Sequence, residues 1–439
     1  MDRTNAAAEG VELLIRGGTV IDENGRRRAD VRVAQRSIVE VGPDLEAKPG
    51  GHVLDAGGCV VGPGLVDLHA HLRQPGQEEA ETIETGSRAA ALGGYTAVLA
   101  MPNTTPAIDS ASVIREVQSL AVAACCEVAV AGAITKGRLG ESLAPMAEMA
   151  TMGVSIFTDD GTGVADARLM RRALEYSSAL GVTLAQHCED ASLAAGGHMH
   201  EGAWSSRLGV GGIPSEAEEL MVMRDIALVR MSAESGARIH FLHLSTSGSV
   251  ALVRAAKKAG LPVTAEAAPH HFCLTDAEVA SYDTVFKVNP PLRPGSDVAA
   301  VKVGLGDGTL DAIATDHAPH APEAKDRPFD QAPPGMLGLQ TALALALGEL
   351  DLPIERVLAL LSWQPARIAG LAQRHGGPVV VGRAANLCVI DPGATWVVDA
   401  TRLASRSRNT PYAGRRLTGV VRHTVFNGEP VVIDAEAQR

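Results

Sequence analysis

Eight short apolar, β-branched runs between residues 59 and 316 constrain this chain more than any other feature. They are CVVGPGLVDLH (59–69), TAVLAM (96–101), EVAVAGAI (127–134), GVSIFT (153–158), TLAQH (183–187), RIHFLH (238–243), VTAEAA (263–268) and DAIATD (311–316). Segments rich in Ala, Leu and Glu with helical spacing lie between them. Three of these segments, ADARLMRRALEYSSALG, EAEELMVMRDIALVRMSAESG and SGSVALVRAAKKAG, stop at a glycine suited to closing a helix. Strand then helix, repeated about eight times over roughly 250–300 residues, predicts an α/β chain folded as a (β/α)8 TIM-type barrel.

The flanks read differently. ELLIRGGTVID, ADVRVAQRSIVEVG and GGHVLDAGG near the start, and ANLCVIDPG, TWVVDA and GVVRHTVFNGEPVVID near the end, are short strands split by Gly, Pro and Asn turns. Both termini are therefore expected to build one small β-sandwich. The expected division is residues 1–62 and 377–439 for the sandwich and 63–376 for the barrel.

Composition narrows the partners. A formal net charge of -12 argues against nonspecific nucleic-acid binding, which needs clustered cations. No apolar run approaches bilayer-spanning length. The opening MDRTNAAAEG lacks a basic stretch followed by an apolar one, so a cytoplasmic location is expected. Six cysteines without CxxC spacing suggest neither a disulfide framework nor a thiolate metal site.

Barrels place reactive groups at the C-terminal ends of strands. His69 and His71 close run one, Asn103 follows run two, and Asp159 and Asp160 follow run four. His187 closes run five, His243 run six and Asp316 run eight, while His270 and His271 follow run seven. Strand alternation puts His69 and His71 on one face, where they can share an ion. One histidine at a strand end is ordinarily a hydrogen-bonded structural group. Four histidines and two aspartates converging on one rim are not, because buried unpaired charge is costly. Imidazole and carboxylate ligands without thiolate suit Zn(II), with Mn(II), Co(II) or Fe(II) as substitutes. Six ligands exceed one four-coordinate ion, so two bridged ions are the economical arrangement. His240, three residues before His243, would face the other way in an extended strand and is read as packing.

The run DLHAHLRQPGQEEAETIETGSRAAALGGYTAVLAMPNTTP, with FTDDG, QHCED, HLST, PHHF, KVNPPLR and IATDHAPH, resembles bacterial class I dihydroorotases of the amidohydrolase superfamily. The likeness runs over nearly the whole chain. It implies that His69 and His71 bind one metal, His187 and His243 the second, and that Asp160 bridges them. Asp316 is the implied ligand and general base and acid. Many superfamily relatives bridge their metals with a carboxylated lysine after strand four; no lysine occurs between Thr151 and Asp190, and the resembling class uses aspartate. The choice of Asp160 over Asp159 rests on the family pattern, and Asp159 is expected to serve the turn. His270 and His271 are expected to support the ligands.

The resemblance further implies reversible cyclisation of N-carbamoyl-L-aspartate to L-dihydroorotate in pyrimidine biosynthesis. His71, Arg73, Asn103, Asn289 and His320 are the implied substrate contacts, with the backbone at Pro334 and Gly335 closing on the ring. Arg73 offers a planar donor fork for a substrate carboxylate. The segment EAKDRPFDQAPPGMLG, 323–338, has the composition of a mobile lid. A homodimer is expected, with association with aspartate transcarbamoylase left open. The competing readings are a hydantoinase or allantoinase, disfavoured by the missing lysine and by HLRQPG with NPPLR, and a noncatalytic scaffold, which would be expected to have lost ligands. One departure from relatives, Asn386 in place of Asp, bears on the β-domain.

Overall fold

The computed structural model describes residues 12–439; the opening MDRTNAAAEG and the first eleven residues of the expected N-terminal segment lie outside the described residues. Each of the eight runs contains a parallel strand: β1 (Leu65–Ala70), β2 (Tyr95–Ala100), β3 (Glu127–Val130), β4 (Ile156–Thr158), β5 (Thr183–Gln186), β6 (Ile239–Phe241), β7 (Val263–Ala267) and β8 (Ala312–Ile313). Ladders join β1 to β2 and β2 to β3, and a second series runs from β4 through β8. Two parallel bridges connect the series, Gly132 with Phe157 and Ala70 with His317, so the pairing returns to its start. A ring of strands leaves no edge exposed.

Helices follow the strands and pack outside them. The helix Ala167–Leu180 begins at Asp166, whose side chain accepts from the Leu169 N–H, and ends at Gly181 in the left-handed conformation. Its buried positions, Met170, Ala173, Leu174 and Ser177, fall at helical spacing and face the strands. Small residues fill the strands where helices approach, while Tyr95, Phe157, Phe241 and Phe272 supply bulk.

The first run divides. Val60–Pro63 pairs with Thr19–Asp22 and with Leu387–Val397, and only after Gly64 does β1 begin. The terminal segments form a four-stranded sheet, holding Leu13–Arg16, Asp30–Ala34, Ser37–Gly42 and His52–Asp55, and a seven-stranded sheet. Leu13, Ile15, Val31, Val33 and Leu54 of the first sheet share one apolar core with Val20, Val61, Leu387, Val389 and Val425 of the second. ANLCVIDPG and TWVVDA merge into the single strand Leu387–Val397, with an irregularity between Asp391 and Thr395 that absorbs the Pro-Gly pair. Asn427 and Gly428, both at positive φ, form the tight turn joining Arg416–Phe426 to Glu429–Ile433. Asn386 fastens this region: its Oδ1 accepts from the Asn427 N–H at 2.7 Å and its Nδ2 donates to the Arg374 carbonyl at 2.9 Å. All six cysteines are free, and five are buried.

Away from the mouth, Glu127 of β3 accepts from Arg374 Nε at 3.0 Å and lies 2.8 Å from His375 Nε2. Burial would raise this carboxyl, but His375 and Arg374 hold it at about 2, below its ordinary 4.5. A depressed carboxyl gives stability that is complete above the unfolded value and lost as pH falls through the folded one. Between pH 4.5 and about 2, unfolding free energy from urea titration is expected to fall more steeply for the native chain than for Glu127→Gln.

Candidate metal centre and substrate cavity

The strand ends deliver the donors to one place. His69 is the penultimate residue of β1 and His71 the first beyond it; their rings lie 5.2 Å apart, as period-two spacing requires. Asp160 follows β4, His187 follows β5, His243 follows β6 and Asp316 follows β8. Two groups of metal-ligating atoms result, His69–His71–Asp160 and Asp160–His187–His243, each with its atoms within 4.8 Å of one another. Asp160 belongs to both. Its Oδ1 lies 3.4 Å from His69 Nε2, 3.7 Å from His187 Nδ1 and 3.6 Å from His243 Nε2, and its Oδ2 lies 3.6 Å from His71 Nε2. Asp316 Oδ1 approaches His71 Nε2 at 3.1 Å and His69 Nε2 at 3.5 Å.

These atoms fit metal ions. Asp160 and Asp316 are buried and form no salt bridge to lysine or arginine among the described residues. His69 Nε2 is buried without a hydrogen-bond partner among the described residues, and His187 Nδ1 and His243 Nε2, 3.0 Å apart, both face Asp160. Burial opposes ionisation of Asp160 and Asp316, yet the surrounding imidazoles hold both below the usual carboxylate range. Burial likewise opposes a charged His69, but Asp160, Asp316 and Glu266 raise it well above the ordinary value. Buried carboxylates with clustered imidazoles call for cationic charge at the centre.

Three residues of the site adopt the left-handed backbone region. Arg73, His243 and Asp316 are non-glycine residues at φ 60°, 30° and 46°. Such conformations persist only where the surroundings over-determine them. At His243 the extended path has already ended at Phe241, so alternation does not extend from His240 to His243. His240, read from the sequence as packing, is buried with Nε2 2.9 Å from Glu266 Oε2, and Glu266 Oε1 lies 3.1 Å from His69 Nδ1. Sequence spacing held one clue, the period-two placement of Thr264 and Glu266 in β7.

Asp159 and Asp160 diverge. Asp159 accepts from the backbone N–H groups of Ile134 at 2.8 Å and Thr135 at 3.0 Å and from the Thr135 hydroxyl, holding the loop after β3. His271 Nε2 bonds the Pro290 carbonyl at 3.0 Å. His270 Nε2 lies 3.9 Å from Asp316 Oδ2, outside both donor groups.

A cavity of about 180 Å³ opens over the centre. His71, Arg73, Asn103, Asn289, His320, Pro334 and Gly335 all line it, together with Asp160, His187, His243 and Asp316. Arg73 is buried, donates from Nε to the Pro319 carbonyl at 3.1 Å, and forms no salt bridge among the described residues. Burial lowers it to about 10, so the guanidinium stays charged at neutral pH. Asn103 also serves His71: its Oδ1 lies 2.9 Å from Nδ1, which directs Nε2 toward the carboxylates. Asn289 Oδ1 is buried and unpartnered.

Residues 323–338 pack as a braced wall. Lys325 Nζ donates to the carbonyls of Thr284 and Pro333 at 2.9 Å, and Lys287 Nζ to those of Phe329 at 2.7 Å and Asp330 at 3.1 Å. Gly335 sits at φ 141°, where a Cβ would come 2.8 Å from both Ala318 Cβ and His320 Nε2, so only glycine fits. Asn409, from the C-terminal segment, donates to the Ala318 carbonyl at 3.0 Å and the Gly335 carbonyl at 3.1 Å and accepts from the His320 N–H at 3.2 Å. Sequence reading overlooked both lysines and Asn409.

A family model described as Dihydro-orotase-like matches residues 58–249. Curated dihydroorotases from Pelotomaculum thermopropionicum and Anaeromyxobacter dehalogenans are each 48 % identical to this chain, covering 97 % of it and 99 % of their own lengths. The Streptomyces coelicolor dihydroorotase is 46 % identical, with the same coverage. Among solved structures, an L-hydantoinase from Arthrobacter aurescens superposes with TM-score 0.86 at 23 % identity, covering 97 % of each chain. A dihydropyrimidinase from Brevibacillus agri gives 0.84 at 22 %, over 98 % of this chain and 96 % of its own. Those structures establish the class of fold, an α/β architecture shared with hydantoinases and dihydropyrimidinases. Within that class, the chain belongs to the dihydroorotase family.

Asn409→Ala would strip partners from the buried carbonyls of Ala318 and Gly335. A loss of about 1–3 kcal/mol is expected in urea unfolding, with faster amide hydrogen exchange confined to residues near 318–320 and 335–337.

Proposed function

We propose that this chain is a dihydroorotase, interconverting N-carbamoyl-L-aspartate and L-dihydroorotate in pyrimidine biosynthesis. The observation that carries the substrate is Arg73, a buried guanidinium without an ion pair in the same cavity as both donor groups. A buried charge of this kind seeks an anion, and its fork matches a carboxylate. Hydantoin and allantoin carry none, and the hydantoinase structures speak to fold alone. Full-length likeness to curated dihydroorotases points the same way.

We read the strand ring as a (β/α)8 barrel spanning about 63–376 and the terminal sheets as one β-sandwich from 1–62 and 377–439, of which 12–62 are described. His69, His71 and Asp160 would hold one divalent ion and Asp160, His187 and His243 a second, with Asp316 beside the first; Zn(II) suits these ligands. When bound, the ions supply an activated water and polarise the amide carbonyl. Asp316 accepts the proton of that water at a carboxylate oxygen and delivers it to the departing ring nitrogen as the C–N bond breaks. Cyclisation reverses this path and releases water. Arg73 binds the substrate carboxylate, Asn103, Asn289 and His320 orient the ring, and the Pro334–Gly335 backbone closes over it.

The test is turnover of metal-loaded protein on L-dihydroorotate, hydantoin and allantoin. Activity on dihydroorotate is expected; turnover of the neutral substrates only would transfer the chain to the rival activity. Arg73→Met is expected to cost about 2–5 kcal/mol of substrate binding, seen as a raised KM with the metal retained. Asp316→Asn should abolish turnover while leaving most of the metal in place by elemental analysis; residual native turnover would remove Asp316 from proton transfer. No helix among the described residues is long and apolar enough to cross a membrane, in keeping with a cytoplasmic enzyme. We expect a homodimer, and light scattering with and without aspartate transcarbamoylase measures both assemblies.

A further inference from the structure

We infer that Glu266, held in turn by His240 and Thr264, is the positioning residue that orients His69 for metal, and that it acts on one of the two ions only. This rests on the two-ion reading above. Glu266 is fully buried in β7, whose sheet neighbours are β6 and β8, yet its side chain reaches β1. The contact therefore passes through the inside of the ring. A carboxylate only accepts, so His69 Nδ1 carries the proton toward Glu266 Oε1 at 3.1 Å and His240 Nε2 donates to Oε2 at 2.9 Å. His240 Nδ1 is then the acceptor for the Thr264 hydroxyl at 2.8 Å. The contacts run continuously along Thr264–His240–Glu266–His69, with Glu266 accepting from both imidazoles. With Nδ1 engaged by Glu266, Nε2 is the nitrogen of His69 that faces Asp160 and Asp316 and is left for an ion.

The two donor groups differ in this respect. His69 is braced by a carboxylate and His71 by the Asn103 amide. In the other group, His187 Nε2 and His243 Nδ1 are buried without partners. A carboxylate behind a ligating imidazole fixes its tautomer and raises its basicity, and losing such a partner costs about 10- to 100-fold in metal affinity. Glu266→Gln keeps the shape and can still accept from His69, but it removes the charge.

The experiment titrates metal-free full-length chain with Co(II), following the visible absorption of the bound ion, and repeats the titration with Zn(II) under chelator competition. The native chain is expected to take up two equivalents. Glu266→Gln and His240→Phe should weaken one equivalent by about 10- to 100-fold and shift its Co(II) spectrum, leaving the other within about threefold. His240→Gln, which still donates to Glu266, should restore the weakened equivalent. Urea midpoints of the metal-free variants check folding, and the contrast of His240→Phe with His240→Gln serves should Glu266→Gln not fold. Fewer than two equivalents in the native chain would overturn the two-ion reading itself. Two equivalents that Glu266→Gln and His240→Phe leave alike, or that both variants weaken equally, would overturn the role of Glu266.

Discussion

The structure depends on one electrostatic demand: Asp160 and Asp316 are carried out of water to a place where, among the described residues, no lysine or arginine pairs with them. Burying carboxylates this way is tolerable only where imidazoles and cations surround them. The eight-strand ring answers that demand because its strand ends converge. Residues from β1, β4, β5, β6 and β8, up to 247 positions apart in sequence (Asp316 against His69), arrive within a few ångströms of one another. Positive φ at His243 and Asp316 is tolerated in the same spot. Buried charge is thus gathered where binding can offset it, and two of the strained residues, His243 and Asp316, belong to the same place.

How far this was legible depends on the range of each interaction. His69 and His71 could be paired from sequence because alternation is a local rule that β1 obeys up to its end. Asp160 and Asp159 could not be separated by the same rule, since the chain leaves strand geometry at Thr158 and the two carboxyls part company in the loop. His240, read as packing, is indeed buried, but its contact with Glu266 was not legible, because the spacing argument from His243 assumed a strand that stops at Phe241. The strands of the terminal sheets were recognisable from turns and alternation, but their order was not, because Val60–Pro63 is inserted between Thr19–Asp22 and Leu387–Val397 by pairing across more than 300 residues.

The segment 323–338 shows what composition leaves out. Its composition, charge mixed with Pro and Gly, reads as a mobile lid, and composition carries no information about what receives the loop. Lys325 and Lys287 turn inward and spend their donors on main-chain carbonyls, while Asn409 arrives from the C-terminal segment. Burial lowers Lys325 to about 7, evidence of how enclosed the brace is. A wall anchored at Pro333, Phe329 and Gly335 presents its backbone to a ligand without first having to order it, which reduces the entropic cost of binding.

Rigidity on both sides of the cavity bears on selectivity. Below, His71 is held by Asn103 and His69 by Glu266, so the donor atoms have little freedom to follow a misplaced carbonyl. Above, Gly335 fits against Ala318 and His320 with no space for a β-carbon. Arg73 bridges the two levels, anchored through Nε to Pro319 with the remainder of its fork directed at the cavity. A ring lacking a carboxylate would leave that guanidinium buried and unpaired, a penalty a rigid site cannot relax. On the proposed reading of Arg73, discrimination against neutral cyclic amides would follow from the cost of an unmet charge more than from the shape of the ring.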